Sequence, residues 1–206
     1  MEFEQIIKQR RSVREFDSSK KLSDAQIKKL IGIAIESPSS FNLQPWEFII
    51  VKEEERKKRL MECCRNQEHV LQASVNFIVL GRMDVSDNAD AVLADREKKA
   101  PMDPGRKERF LKRIEVLKNN RAEAALWTTK SVSLACMALM LAAKNMGLDS
   151  CPMEGFDSAM VRKEFNIPND REIVMVIPVG YAVKNPKRPM RFDFEKVTYN
   201  EFFGKK

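Results

Sequence analysis

The chain has 206 residues, a formal net charge of +7, 43% hydrophobic residues and 33% charged ones, which suits one domain that buries roughly 70% of the surface its unfolded form exposes. Its longest apolar runs, such as residues 173–179, are strand-sized and short of the roughly 18 residues of a membrane span; the acidic start, residues 1–5, has no apolar signal core, so a cytoplasmic protein without a membrane partner is expected. Much of the basic excess lies in 96–121 and 184–191, and the first stretch also carries Glu97, Asp103, Glu108 and Glu115, a solvated helix face rather than a nucleic-acid surface.

In chain order, Phe3, Ile6 and Ile7 make a short amphipathic helix ending near Arg10. Ser23 with Gln26 is a capping-box pattern that opens a helix over 24–36, with Ile27, Leu30, Ile31 and Ile35 on one face. Residues 37–44 are polar and proline-bearing, a loop, and the aromatic and β-branched Trp46–Val51 is a strand. A helix over 53–64 and a fully buried strand over 75–80 follow. Residues 83–104 are charged and proline-bounded, which predicts a loop or lid with helical pieces, and 107–117 a helix. The longest helical pattern covers 122–146 and is apolar almost all round over 131–143, as in a protein interior or an oligomer core. Gly147 suits its C-cap. Asp157 caps a short helix through Phe165, residues 172–179 form a third strand, and a basic, proline-punctuated tail closes the chain. There is no internal repeat and no low-complexity linker. These elements predict a single α+β domain over 1–206, with a sheet flanked by many helices and a variable lid at about 84–118.

Several signatures of chemistry are absent. The seven glycines make no dinucleotide fingerprint, Walker loop or nucleophile elbow. With one histidine, His69, and no C-x-x-C among Cys63, Cys64, Cys136 and Cys151, a zinc site is poorly supported and four reduced thiols are expected. Cys151 abuts the Pro152 turn. The hard chemistry of an enzyme so equipped belongs to a cofactor. Arg10, Arg11, Ser12 and Arg14 follow a helix end and can converge on a phosphate through guanidinium forks, or can be a solvated basic turn. Lys187, Arg188 and Arg191 carry the same ambiguity, and the two clusters make a site only if the fold joins them. Pro152, Met153, Glu154 and Gly155 form a tight turn able to lay backbone N–H groups against a flat ring.

The motif Arg10-Arg11-Ser12-Val13-Arg14-Glu15-Phe16 resembles the opening of the FMN-dependent nitroreductase family. Ser37-Pro38-Ser39-Ser40-Phe41-Asn42-Leu43-Gln44-Pro45-Trp46-Glu47-Phe48 is similar to its Ser-Pro-Ser-x-x-Asn-x-Gln-Pro-Trp-x-Phe segment, the stretch 66–74 to its lead into the next strand, Trp127 to the tryptophan opening its central helix, and Pro152-Met153-Glu154-Gly155-Phe156-Asp157 to its glycine turn. The matches keep family order along nearly the whole chain.

The resemblance implies an intertwined homodimer on a mostly antiparallel sheet, with FMN at the interface. Arg10, Ser12 and a tail cation would hold the phosphate, Arg188 first, Lys187 second and Arg191 third, because the tail exchanges the two basic residues of the family's Pro-Arg-Lys-Pro. Arg11 belongs to the same cluster, and Arg14 would sit near the pyrimidine edge, favouring the reduced flavin anion. Pro38, Ser39, Ser40 and Asn42 would reach the flavin from the second subunit. Asn66 would bind the ring, and the Glu154 and Gly155 backbone would face N5. His69 stands where relatives often have a lysine and is a candidate ring contact. Phe41, Phe110, Met102 and Trp127 would line the substrate side or belong to the core. No side chain need act as catalytic acid or base. The activity implied is ping-pong hydride transfer from NADH or NADPH to a small acceptor such as a nitroaromatic or quinone. The alternatives are a reductase or dehydrogenase specialised for one metabolite, a flavin-binding protein without turnover, and a nucleic-acid module, which the interleaved acids disfavour.

Overall fold

The computed structural model describes residues 2–100 and 102–205. In chain order it contains α1 (Phe3–Gln9), α2 (Asp24–Ala34), a 3-10 turn (Ser40–Asn42), β1 (Trp46–Val51), α3 (Glu54–Cys63), α4 (Glu68–Gln72), β2 (Val75–Arg82), α5 (Ser86–Lys99), α6 (Pro104–Asn119), α7 (Arg121–Asn145), β3 (Asp149–Ser150), α8 (Ser158–Glu164), β4 (Arg171–Gly180) and α9 (Phe194–Val197). The strand order is β1-β2-β4-β3, and every strand pair is antiparallel. This is the α+β arrangement expected, a central sheet between helical layers.

β2 shows why its sequence is apolar throughout. Side chains alternate across a strand: Val75, Phe77 and Val79 enter a core with Leu30 of α2 and Leu139 of α7. Ile78 and Leu80 enter a second core with Leu60 of α3 and Val161 of α8. A strand covered on both faces has no polar side to show. The exception is Asn76, fully buried, whose Nδ2 donates to the Val70 carbonyl at 2.9 Å.

The capping box of α2 is present as expected, with Ser23 Oγ accepting from the Gln26 N–H and the Gln26 side chain returning to the Ser23 N–H. Asn120 caps α7 and Asp157 caps α8. Gly147, at φ +74°, ends α7 in the left-handed region, and the Leu148 N–H returns to the Ala143 carbonyl at 2.9 Å. α7 contains an 18-residue stretch of mean hydropathy 1.4, long and apolar enough to cross a membrane although its uninterrupted apolar runs are short; half of that stretch is buried inside the protein, and the helix packs on α2 and all four strands.

The segment 83–104 departs from the expectation of a loop with helical pieces. Most of it is α5, whose buried Ala89 and Val92 join Leu43, Met83, Phe110, Leu117, Ala124 and Trp127 in a third core under α6 and the start of α7. All four cysteines are free and buried, and burial pushes the Cys64 and Cys136 thiols up to about 12.

Candidate functional site

Where α1 ends, Arg10 leaves helical geometry (φ −58°, ψ 127°), and the next residues are stitched to the sheet. Ser12 bridges Ser150, the Val13 N–H donates to the Ser150 carbonyl at 3.1 Å, and Phe16 bridges Ala182 just past β4. Val13 and Phe16 turn inward onto Ala73, while Ser12 stays half-buried and Arg14 exposed. Gly180 makes this crossing possible: a Cβ there would stand 3.1 Å from the Phe16 ring and from the Ser74 nitrogen.

Arg10, Arg11, Ser12 and Arg14 line a cleft of about 290 Å³ with Pro186, Lys187, Pro189 and Arg191. No carboxylate is on that wall. Arg10 Nη1 is buried without a partner among the described residues, as is Ser150 Oγ. Burial, then the Arg11 and Arg191 charges, pull the Arg10 pKa below its ordinary value. A concave cluster of cations that repel one another and face no carboxylate is complementary to a multiply charged anion. The two sequence clusters therefore meet. The tail residues on the wall are Lys187 and Arg191; Arg188, the first choice from sequence, is exposed and is not on it.

The turn after Cys151 lies beside this cleft. Met153 exchanges two hydrogen bonds with Val176, at 2.9 and 3.1 Å, and the Asp157 N–H donates to the Cys63 carbonyl at 2.8 Å. Gln67 Nε2 donates to the Gly155 and Cys64 carbonyls, each at 3.0 Å. Between these anchors the Glu154 and Gly155 N–H groups have no acceptor among the described residues. Cys151 is buried; desolvation raises its thiol pKa against the opposing Arg14 and Arg10 charges.

His69 is 4% exposed, with Nε2 at 3.2 Å from Met153 Sδ. Burial and then Arg14 hold its pKa below 6.5, so it is neutral at neutral pH. Asn66 is exposed at φ 54°, a left-handed position that asparagine tolerates. α4, which carries His69, is tied down by groups that sequence reasoning missed. Lys57, wholly buried, donates to the Leu71 and Ala73 carbonyls at 2.7 and 3.1 Å. Gln72 Oε1 accepts the Phe16 N–H at 3.2 Å. The signal for Lys57 was its place three residues before Leu60, on the apolar face of α3.

The Pro38–Asn42 group is elsewhere. It precedes Trp46, which stands opposite Gly81, whereas Ser12 reaches the sheet through Ser150 and Val179, opposite Val75. Six residues along β2 at about 3.3 Å each, and three strand spacings of about 4.8 Å, separate the anchors by roughly 25 Å. Within one chain this loop does not meet the cationic cleft. Pro38, Ser40 and Asn42 are exposed, and Ser39 Oγ accepts the Gln44 N–H at 2.9 Å. Phe41 is half-buried and meets Phe110 edge-on, ring centroids 5.4 Å apart at 83°. Phe110 itself is fully buried and Trp127 nearly so: of the two places the sequence left open, pocket wall and core, both occupy the core, and Phe110 supports Phe41 from within it. Met102 lines a separate cleft of about 390 Å³ with Arg96, Lys99 and Arg106. A groove of about 500 Å³, lined by Ile27, Ile31, Ile35 and Ile50, runs between α2 and the free edge of β1.

The family model described as Nitroreductase family matches residues 7–181. The chain is 32% identical over 197 residues to the oxygen-insensitive NAD(P)H nitroreductase of Salmonella typhimurium, covering 88% of this chain and 89% of that one. It is 34% identical over 177 residues to protein DrgA of Synechocystis sp., with 84% and 81% covered. Among solved structures, a "putative nitroreductase in complex with FMN" from Exiguobacterium sibiricum 255-15 superposes with a TM-score of 0.84 at 27% identity, over 96% of each chain.

Proposed function

The chain belongs to the nitroreductase family, and on that premise we propose that it is an FMN-dependent NAD(P)H oxidoreductase working as a homodimer. The observation that carries this reading is the cationic cleft with its orphaned Arg10 Nη1 beside two free N–H groups on one edge of the sheet. A phosphate would satisfy the first, and the edge of a flat heteroaromatic ring the second.

Arg10, Arg11, Ser12, Lys187 and Arg191 would hold the phosphate. Arg14, Asn66 and His69 would face the ring, and Pro152, Met153, Glu154 and Gly155 would lie along its N5 edge. When bound, FMN supplies the two-electron chemistry, accepting and donating hydride at N5. The Arg14 guanidinium provides a fixed positive charge where the reduced ring gathers negative charge, a preorganised stabilisation that moves no proton. His69, neutral and packed on Met153, adds no second charge there. Donor and acceptor would use the same face in turn, a ping-pong sequence, with nitroaromatics and quinones as the acceptors to test.

The homodimer reading rests on the separation of the two residue sets. Pro38, Ser39, Ser40 and Asn42 can act on the same cofactor only from a second copy. The tail supports interlocking: Met190, Phe192, Phe194, Phe202 and Phe203 are each more than half exposed on their own chain, while the β1 edge and its apolar groove lie open.

The test is an anaerobic absorbance spectrum of the purified protein before and after stoichiometric NADH, then NADPH. Flavin bands that bleach establish the reductase and identify its donor. A colourless protein that fails to bind added FMN overturns the reading, and intersecting rather than parallel steady-state lines overturn the ping-pong order.

A further inference from the structure

Three of the four residues from Phe41 to Gln44 have positive φ: Phe41 at 56°, Asn42 at 61° and Gln44 at 45°. Asparagine enters this region readily, but phenylalanine and glutamine do so at a cost from the Cβ clash with the backbone. A short run of such residues persists only where its surroundings over-determine it. Here the N–H groups of Asn42, Leu43 and Gln44 bond within the loop, to Ser39 and Ser40, and the carbonyls are held by one helix. Arg96 Nη2 donates to the Phe41 carbonyl at 3.2 Å, and Asn88 Nδ2 donates to the Leu43 and Gln44 carbonyls at 2.7 and 3.2 Å. All three carbonyls are thus held by side chains of α5.

The two donors are themselves fixed. Arg82, at the end of β2, donates to Asn88 Oδ1 at 3.3 Å, which orients the amide so that its NH₂ faces the loop. The Arg96 guanidinium lies 6.0 Å from the Phe110 ring centroid and, among the described residues, forms no ion pair although Asp95 and Glu97 adjoin it in sequence. Phe110 in turn meets the edge of Phe41. Between the two donors, Ala89 and Val92 pack into the same core as Leu43.

We propose that α5 is a clasp: Asn88 and Arg96 are positioning residues that hold the 41–44 backbone in its left-handed path and so set Phe41 as a rigid aromatic wall of the substrate pocket. This rests on the reading of residues 38–42 as facing the cofactor of a second copy. It assigns the charged segment 86–99, which as a sequence looks like a mobile lid, the opposite duty. The clasp acts on substrate selection, and the phosphate cleft at the far end of the sheet is independent of it.

The deciding measurement is hydrogen exchange of the purified protein, with and without added FMN, comparing wild type with Asn88→Asp and Arg96→Met. Asn88→Asp keeps the size and the Arg82 partner but replaces the donor with an acceptor. Exchange within 38–45 should accelerate about tenfold in each variant, with 10–16 and 152–157 unchanged. The KM for acceptor should rise about threefold or more with kcat nearly constant. Adding Gln44→Gly to Asn88→Asp, whose amide holds the Gln44 carbonyl, should restore protection, because glycine at a left-handed position needs no clasp. Unchanged exchange in both variants, or no rescue by glycine, overturns the proposal. Should Arg96→Met not fold, Arg96→Lys, which loses the guanidinium fork, takes its place. Exchange reads the backbone rather than turnover, so it decides the clasp even if the protein fails to bind FMN, an outcome that would count against the proposed function alone.

Discussion

Gly81 stands in β2 where α7 crosses the sheet. A Cβ at that position would lie 2.5 Å from Thr128 Oγ1, 2.9 Å from its Cγ2 and 3.3 Å from its Cβ. Thr128 is fully buried, and its Oγ1 has no partner among the described residues, so it has no solvent space to swing into. Gly81→Ala should therefore cost about 1–3 kcal/mol in overpacking, offset by about 0.4–1 kcal/mol from a less flexible unfolded chain. The net loss of about 1–2 kcal/mol corresponds to a Tm lower by roughly 2–8 °C for a chain of this size. Thr128→Ala removes both atoms in the way. In the double variant the new methyl occupies the vacated space, and the two changes should couple by about 1–2 kcal/mol. Urea denaturation of the four proteins at one fixed concentration measures that coupling. If the two changes add within about 0.3 kcal/mol and Gly81→Ala alone is neutral, α7 is not seated on the sheet as closely as the packing requires.

Arg10→Ala should weaken FMN binding about 10- to 100-fold by removing a charge-assisted contact of about 1.5–3 kcal/mol; a flavin titration that finds unchanged affinity refutes the phosphate assignment. Lys57→Met keeps the buried stem but strips the donor from the Leu71 and Ala73 carbonyls, and Glu54, its exposed ion-pair partner, simply rehydrates. The expected loss is about 1–3 kcal/mol by urea denaturation, and a neutral outcome would mean those carbonyls find other donors. For His69 the folded pKa lies below 6.5, so on acidification the unfolded chain takes up the proton first. Stability present above 6.5 is lost as pH falls from 6.5 toward the lower folded value. His69→Gln should flatten this acid limb in melts between about pH 7.5 and 5.5, and equal slopes would show that the histidine is not held neutral.

Elements with a local cause were legible in the sequence. Trp46–Val51 declares itself by β-branched and aromatic content, α2 by its capping box, and α7 by length and end signals. α5 did not, because its inner face mixes Asn88 and Arg96 with the buried Ala89 and Val92, and a helix that binds a loop through polar donors has weak periodicity. α4, with five residues, and β3, with two, exist through partners distant in sequence. The cationic motif at 10–14 was visible as chemistry, but which tail cations share its cleft was not. Residues 184–197 carry no buried side chain to set their register, so nothing local distinguishes Lys187 and Arg191 from Arg188. Phe110 stayed open for the converse reason: an aromatic residue satisfies a core and a pocket wall equally well, and only the packing of α6 on Phe41 separates the two. The roughly 25 Å between the sheet anchors of the two motifs, Trp46 and Ser150, is a property of topology and leaves no mark on either motif.

The unburied aromatic residues of the last twenty or so positions bear on how this protein responds to dilution. If a second copy covers that surface, as the proposed homodimer requires, the burial is gained by mass action and stability rises with the protein's own concentration. Cofactor retention would inherit the same dependence, since on that proposal the loop at 38–42 reaches a ring only when another copy is present. Scarcity of the protein, rather than heat or denaturant, would then be the mildest condition under which it sheds its flavin.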